Sequence, residues 1–103
     1  MPLFVTQFSS IGQDAFGSGK ILYGRPGTNE EVSVGASSTQ SAAFDKETSL
    51  ISVYADQAVH IDIGPNPTAN NTGGSETMRL PASERLEFAV PQGGDWKIAV
   101  IQD

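Results

Sequence analysis

The sequence has no cysteine. That absence excludes disulfides, thiolate-bound zinc, iron–sulfur clusters and a thiol nucleophile together. It also argues against the small secreted scaffolds that depend on disulfides. Histidine occurs once, at His60, and only 17% of the 103 residues are charged. The basic residues Lys20, Arg25, Lys46, Arg79, Arg85 and Lys97 are scattered, and 12 acidic residues bring the net charge to −6. Such a balance opposes non-specific nucleic-acid binding, which depends on basic groups neutralising phosphates. Long apolar runs are missing too. Nothing approaches the roughly 20 consecutive apolar residues of a membrane-spanning helix. No segment has the charged start and apolar middle of a signal peptide. The expectation is a protein without nucleic-acid or membrane partners, acting where it is made or leaving that compartment inside an assembly.

Turn-formers, by contrast, are plentiful, with 11 glycines and 6 prolines. Low charge with many turn-formers is the profile of short strands joined by tight loops. No window of useful length places apolar residues at helical spacing, whereas several alternate with the period of two that strands require. In residues 58–63, Val59, Ile61 and Ile63 face one way and His60 and Asp62 the other; Gly64-Pro65-Asn66-Pro67 ends the run. In residues 84–90, Leu86, Phe88 and Val90 share a face, and Pro91-Gln92-Gly93-Gly94 marks a turn. Residues 96–101 form a third run. The β-branched and aromatic stretch 50–55 precedes these, and the short gap at Asp56-Gln57 predicts a hairpin or a bulged continuation into 58–63. Shorter candidates are 3–8, 20–23, 31–34, 40–44 and 77–80. The polar segment 66–75 reads as a surface loop, and 12–19 as a glycine-rich connection.

Eight or nine short strands at close spacing predict an all-β fold, an antiparallel β-sandwich or a small barrel, with the sandwich preferred. The length suits one domain spanning residues 1–103. The expected core is Val53, Val59, Ile61, Ile63, Leu86, Phe88, Val90, Ile98 and Val100.

Chemistry-bearing motifs fail on inspection. Gly17-Ser18-Gly19-Lys20 is similar to the end of a phosphate-binding loop. However, Asp14 stands where the motif needs its first glycine, and Ile21 where it needs a hydroxyl for magnesium. His60 with Asp62 falls short of the three or four ligands of a stable zinc site. A serine triad would also have to use His60, and no Gly-x-Ser-x-Gly elbow accompanies any serine. Acid pairs such as Glu84/Glu87 and Asp62/Glu76 arise in any chain with this many carboxylates. The sequence therefore predicts no catalytic residue, no cofactor and no metal: not an enzyme.

Tyr54, Phe44, Phe88 and Trp96 are candidates for a stacking platform, although aromatics in strands more often pack in a core. The N-terminal run Pro2-Leu3-Phe4-Val5-Thr6-Gln7-Phe8 is apolar and poor in charge. Leu3, Phe4, Val5 and Phe8 are costly to leave in water, so residues 1–8 either add a strand to this domain or form an extended arm docking on a partner, a known recognition mode. If an arm, deleting 2–8 weakens partner binding and spares the core. If a strand, the deletion unfolds the domain.

One arrangement carries a resemblance. A strand ends near Val53-Tyr54. Then come Ala58-Val59-His60-Ile61-Asp62-Ile63-Gly64 and Pro65-Asn66-Pro67-Thr68-Ala69. After a polar loop follow Met78-Arg79-Leu80-Pro81-Ala82, Glu84-Arg85-Leu86-Glu87-Phe88-Ala89-Val90 and a terminal Lys97-Ile98-Ala99-Val100-Ile101. This half of the chain resembles the jelly-roll cement, or decoration, proteins of tailed bacteriophages; residues 1–48 take no part in the likeness. The resemblance implies a jelly-roll-like sandwich. It also implies a virion structural protein on the capsid exterior, made in the host bacterial cytoplasm. Its partners would be the phage major capsid protein, whose shell it stabilises, and further copies of itself in a dimer or trimer. The alternative is a tail, head–tail connector or fibre β-sandwich that binds a host glycan or receptor.

Overall fold

The structure, a computed structural model, describes residues 2–9, 11–13, 21–23, 26–72 and 77–103. Among them it contains ten strands: β1 (Pro2–Phe8), β2 (Ile11–Gln13), β3 (Ile21–Tyr23), β4 (Pro26–Ser33), β5 (Thr39–Gln40), β6 (Leu50–Ala55), β7 (Val59–Gly64), β8 (Met78–Leu80), β9 (Arg85–Ala89) and β10 (Lys97–Gln102). Eight of them form two four-stranded sheets, ordered β4-β1-β6-β9 and β5-β10-β7-β8, while β2 and β3 pair separately. Every pairing is antiparallel. The chain is an all-β sandwich, as its alternation predicts.

The strand order has a particular form. From β4 onward the chain alternates between the sheets, except that β7 and β8 are neighbours in the second. With β4 taken first and β1 last, both sheets have the order of a jelly roll. The N-terminal strand fills the slot that a jelly roll normally gives to its final strand. It lies between β4 and β6, with Leu3 opposite Val32 on one side and Ala55 on the other.

Inward-facing side chains of the two sheets make one core, including Leu3, Val5, Val32, Val53, Val59, Ile61, Leu80, Ile98 and Val100. Of the nine core positions expected from sequence, Val53, Val59, Ile61, Val90, Ile98 and Val100 are buried, and Ile63, Leu86 and Phe88 pack half-buried against them. The last two belong to β9, an edge strand whose inner face is covered from fewer directions. Gly94 N–H donates to the Pro91 carbonyl at 3.3 Å, and Gly93 has φ +73°. A left-handed third residue is what a type II turn requires, and glycine adopts it without the strain a side chain would bring.

Two expectations need correction. The gap at Asp56-Gln57 makes no hairpin: β6 and β7 lie in opposite sheets. Val53 and Val59 both face the core, and only strands stacked face to face can bury them against one another. The strand expected over 40–44 ends at Gln40. Ile98 N–H donates instead to the Ser41 hydroxyl at 3.0 Å, so a side chain takes the place of a ladder carbonyl. Ser41 and Phe44 still donate to the Ile98 and Trp96 carbonyls, both at 2.8 Å, which keeps the segment along β10.

The loop after β7 lies on the surface as expected, with Asn66, Thr68, Asn70, Asn71 and Thr72 exposed, and two points anchor it. Ala69 is buried with Ala99 and Ile101 in a second apolar cluster. Its polar groups are pinned on both sides. Thr68 N–H donates to Asp62 at 3.2 Å, Ala69 N–H to Ser38 at 2.9 Å, and the Asn71 amide to the Gln102 carbonyl at 3.1 Å. Residues 73–75 of the expected loop lie outside the described residues, as do Gly17-Ser18-Gly19-Lys20 and Glu76.

Candidate functional site

The outer face of the first sheet collects residues that are far apart in sequence. Register aligns them in rows. Phe4 lies opposite Glu31 on β4 and Tyr54 on β6, and Tyr54 lies opposite Arg85 on β9. One row therefore reads Glu31, Phe4, Tyr54, Arg85. In the next, Thr6 lies opposite Asn29 and Ser52, and Ser52 opposite Glu87. Around the first row runs a groove of about 450 Å³.

Its groups are held in place. The Phe4 and Tyr54 rings sit 6.3 Å apart, tilted by 40°. The Arg85 guanidinium lies 5.8 Å from the Tyr54 ring centre and donates to the buried Ser52 hydroxyl at 2.8 Å. A cation over an aromatic face adds about 0.5–1 kcal/mol at a partly exposed site. The Thr6 hydroxyl donates to Asn29 Oδ1 at 2.8 Å, which leaves the Asn29 amide nitrogen as the donor the side chain can offer. At 36% exposure, Phe4 is one of two large apolar side chains left open to solvent among the described residues.

The other is Met78, at 47%. It stands on β8, the last strand of its sheet, as β9 is of the other. A cleft of about 150 Å³ opens there, lined by Ile61, Asp62 and Ile63 of β7, Met78 of β8 and Phe88 of β9. This is the open side of the sandwich.

Of the four residues read as a partner interface, the structure exposes only Phe4. Leu3 is 0%, Val5 1% and Phe8 7% accessible. The arm reading fails for these three because β1 is an inner strand, paired on both sides, and their side chains are already covered within the chain. Trp96, the other stacking candidate, is half-buried against the core, and Phe44 lies within it.

His60 and Asp62 do not act together. His60 Nε2 lies 2.8 Å from Asp103 Oδ1, while Asp62 accepts from Thr68 N–H. Arg79 grips the same Asp103 carboxylate, Nε to Oδ1 at 3.2 Å and Nη2 to Oδ2 at 3.3 Å. Hydrogen bonds from Arg79 first, and from His60 next, hold the Asp103 carboxyl below the usual aspartate range. A lowered folded-state value stabilises the fold above the ordinary range, and the contribution fades as pH falls through the lowered value itself. Being solvent-exposed, the effect on stability is small. The expected result is a carboxyl-carbon titration of Asp103 below that of free aspartate, moving up in Arg79→Ala. An unmoved midpoint in the variant would show that the pair does not form in solution.

No family model, no curated protein and no solved structure matches this chain.

Proposed function

We propose that this protein is a structural protein of a bacteriophage particle, a cement protein that sits on the capsid exterior and binds the major capsid protein. The observation that carries the reading is the open side of the sandwich. There Met78 is exposed and Ile63 and Phe88 are only half-buried around a cleft. Exposed apolar groups clustered at sheet edges mark surfaces that become covered on association. The resemblance of residues 50–101 to decoration proteins supplies the kind of partner. A rigid jelly roll suits the role, since a cement protein must resist deformation while it bridges subunits. Individually weak contacts suffice when several act at once through effective concentration. The proposal gives no residue a catalytic role and calls for no cofactor.

The test is co-sedimentation with tailed-phage capsids stripped of their decoration proteins. The expected result is saturable, stoichiometric binding, weakened at least tenfold by Met78→Glu, about 1.4 kcal/mol. A wild-type protein that stays in the supernatant would remove the capsid reading. The second reading is a tail, connector or fibre protein that binds a host glycan or receptor. It is favoured by the aromatic groove on the first sheet, which is a different surface.

A further inference from the structure

The outer-face groove has a composition that suits one kind of ligand. Two aromatic rings, Phe4 and Tyr54, line it from adjacent inner strands. At one end stand the Glu31 carboxylate and the Asn29 amide, at the other the Arg85 guanidinium. Acceptors, donors and apolar faces therefore occur within one short row. Neighbouring strands lie about 4.8 Å apart, so the row from β4 to β9 spans roughly 14 Å. The volume of about 450 Å³ lies in the range of small-molecule sites.

A neutral sugar ring offers what this row can receive. One face carries C–H groups that lie flat on an aromatic ring, and its edge carries hydroxyls that each donate and accept. The two rings lean on each other, 6.3 Å apart and tilted by 40°, and the Arg85 guanidinium lies over the Tyr54 ring, so Phe4 is the ring left open to receive a sugar, with Tyr54 as its wall. The Glu31 carboxylate at one end and the Arg85 guanidinium at the other bracket such a ring. A purely anionic ligand would meet Glu31, and a purely cationic one Arg85. The balance of charge selects a neutral guest.

The groove is also prepared in advance. Arg85 is fixed by Ser52 and the Tyr54 ring, and Asn29 by Thr6. Binding then immobilises few side chains, and the ordering cost that weakens most small-ligand sites is reduced.

We propose that the groove is a saccharide-binding site for a neutral sugar unit, its ring stacked on Phe4 and its edge against Tyr54 and Arg85. This deepens the glycan-binding reading and does not depend on where in a particle the protein sits. The experiment is a ¹H–¹⁵N titration of the full chain with cellobiose, lactose, chitobiose and maltose in turn. At least one sugar is expected to shift the amides of Phe4, Tyr54 and Arg85 saturably. Phe4→Ser, at an exposed position, and Tyr54→Leu should each weaken that binding roughly tenfold, the loss of one aromatic contact. Melting curves confirm that both variants are folded. The idea falls if none of the four sugars moves those amides, or if binding survives both substitutions together. It also falls if the groove answers only to added capsid protein, which would make it a protein interface. Met78→Glu keeps sugar binding and Phe4→Ser keeps capsid binding, so this proposal and the capsid reading fail separately.

Discussion

A chain lacking residues 2–8 is expected not to fold. β1 is an inner strand with partners on both sides, so its removal separates β4 from β6 and exposes the edge of each. It also strips Leu3 and Val5, at most 1% accessible, from the centre of the core, and Phe8 with them. Each such side chain contributes about 1.5–3 kcal/mol on burial. Three of them, with two ladders of hydrogen bonds, match or exceed the roughly 5–15 kcal/mol by which a domain of this size is stable. Circular dichroism and urea unfolding read the outcome. The truncated chain should show no cooperative transition. The single substitution Leu3→Ala should cost about 2–5 kcal/mol, while Phe4→Ser, one residue along on the other face, should cost far less. A truncated protein that still unfolded cooperatively would mean that β1 is an accessory arm after all.

The second large effect comes from a polar residue. Gln7 is 2% accessible, and its Oε1 accepts from the Thr48 hydroxyl at 2.6 Å and the Asp45 N–H at 2.9 Å. Thr48 is itself 3% accessible. The pair ties β1 to the turn before β6, where Thr48 N–H closes on the Asp45 carbonyl. Gln7→Leu leaves a buried hydroxyl and the Asp45 N–H without their acceptor, a loss of about 1–3 kcal/mol. Removing the hydroxyl together with its acceptor orphans no hydroxyl and costs less than removing the acceptor alone, while the Asp45 N–H loses its partner in either case. The double variant Gln7→Leu with Thr48→Val should therefore lose less than the two single changes added together. Urea denaturation of the four proteins gives the coupling energy directly. A coupling of zero would mean that water replaces the bond without cost.

Much of the fold is legible because strand periodicity is local. Val59, Ile61 and Ile63 alternate with His60 and Asp62, and the glycines and prolines after them can only be turns. Such signals find β6, β7, β9 and β10 nearly to the residue. They say less about Ser41, whose hydroxyl replaces a backbone acceptor, or about Ala69, whose burial depends on a sheet face built from elsewhere. Gln7 reads as an ordinary polar strand residue, since its two donors lie about 40 positions away. The candidate groove is equally hidden. Phe4, Glu31, Tyr54 and Arg85 come from four strands and meet only through register.

The amino-acid sequence by itself determined the class of structure and the absence of thiol chemistry. Cysteine content, charge and the period of two are properties of the chain that folding does not alter. Which strands became neighbours was decided only in three dimensions. An apolar face such as Leu3-Val5 has the same hydrophobicity whether it closes its own sandwich or docks on another molecule. The difference lies in long-range pairing: here β4 and β6 bind both edges of β1, and in doing so they turn Phe4 outward beside Tyr54.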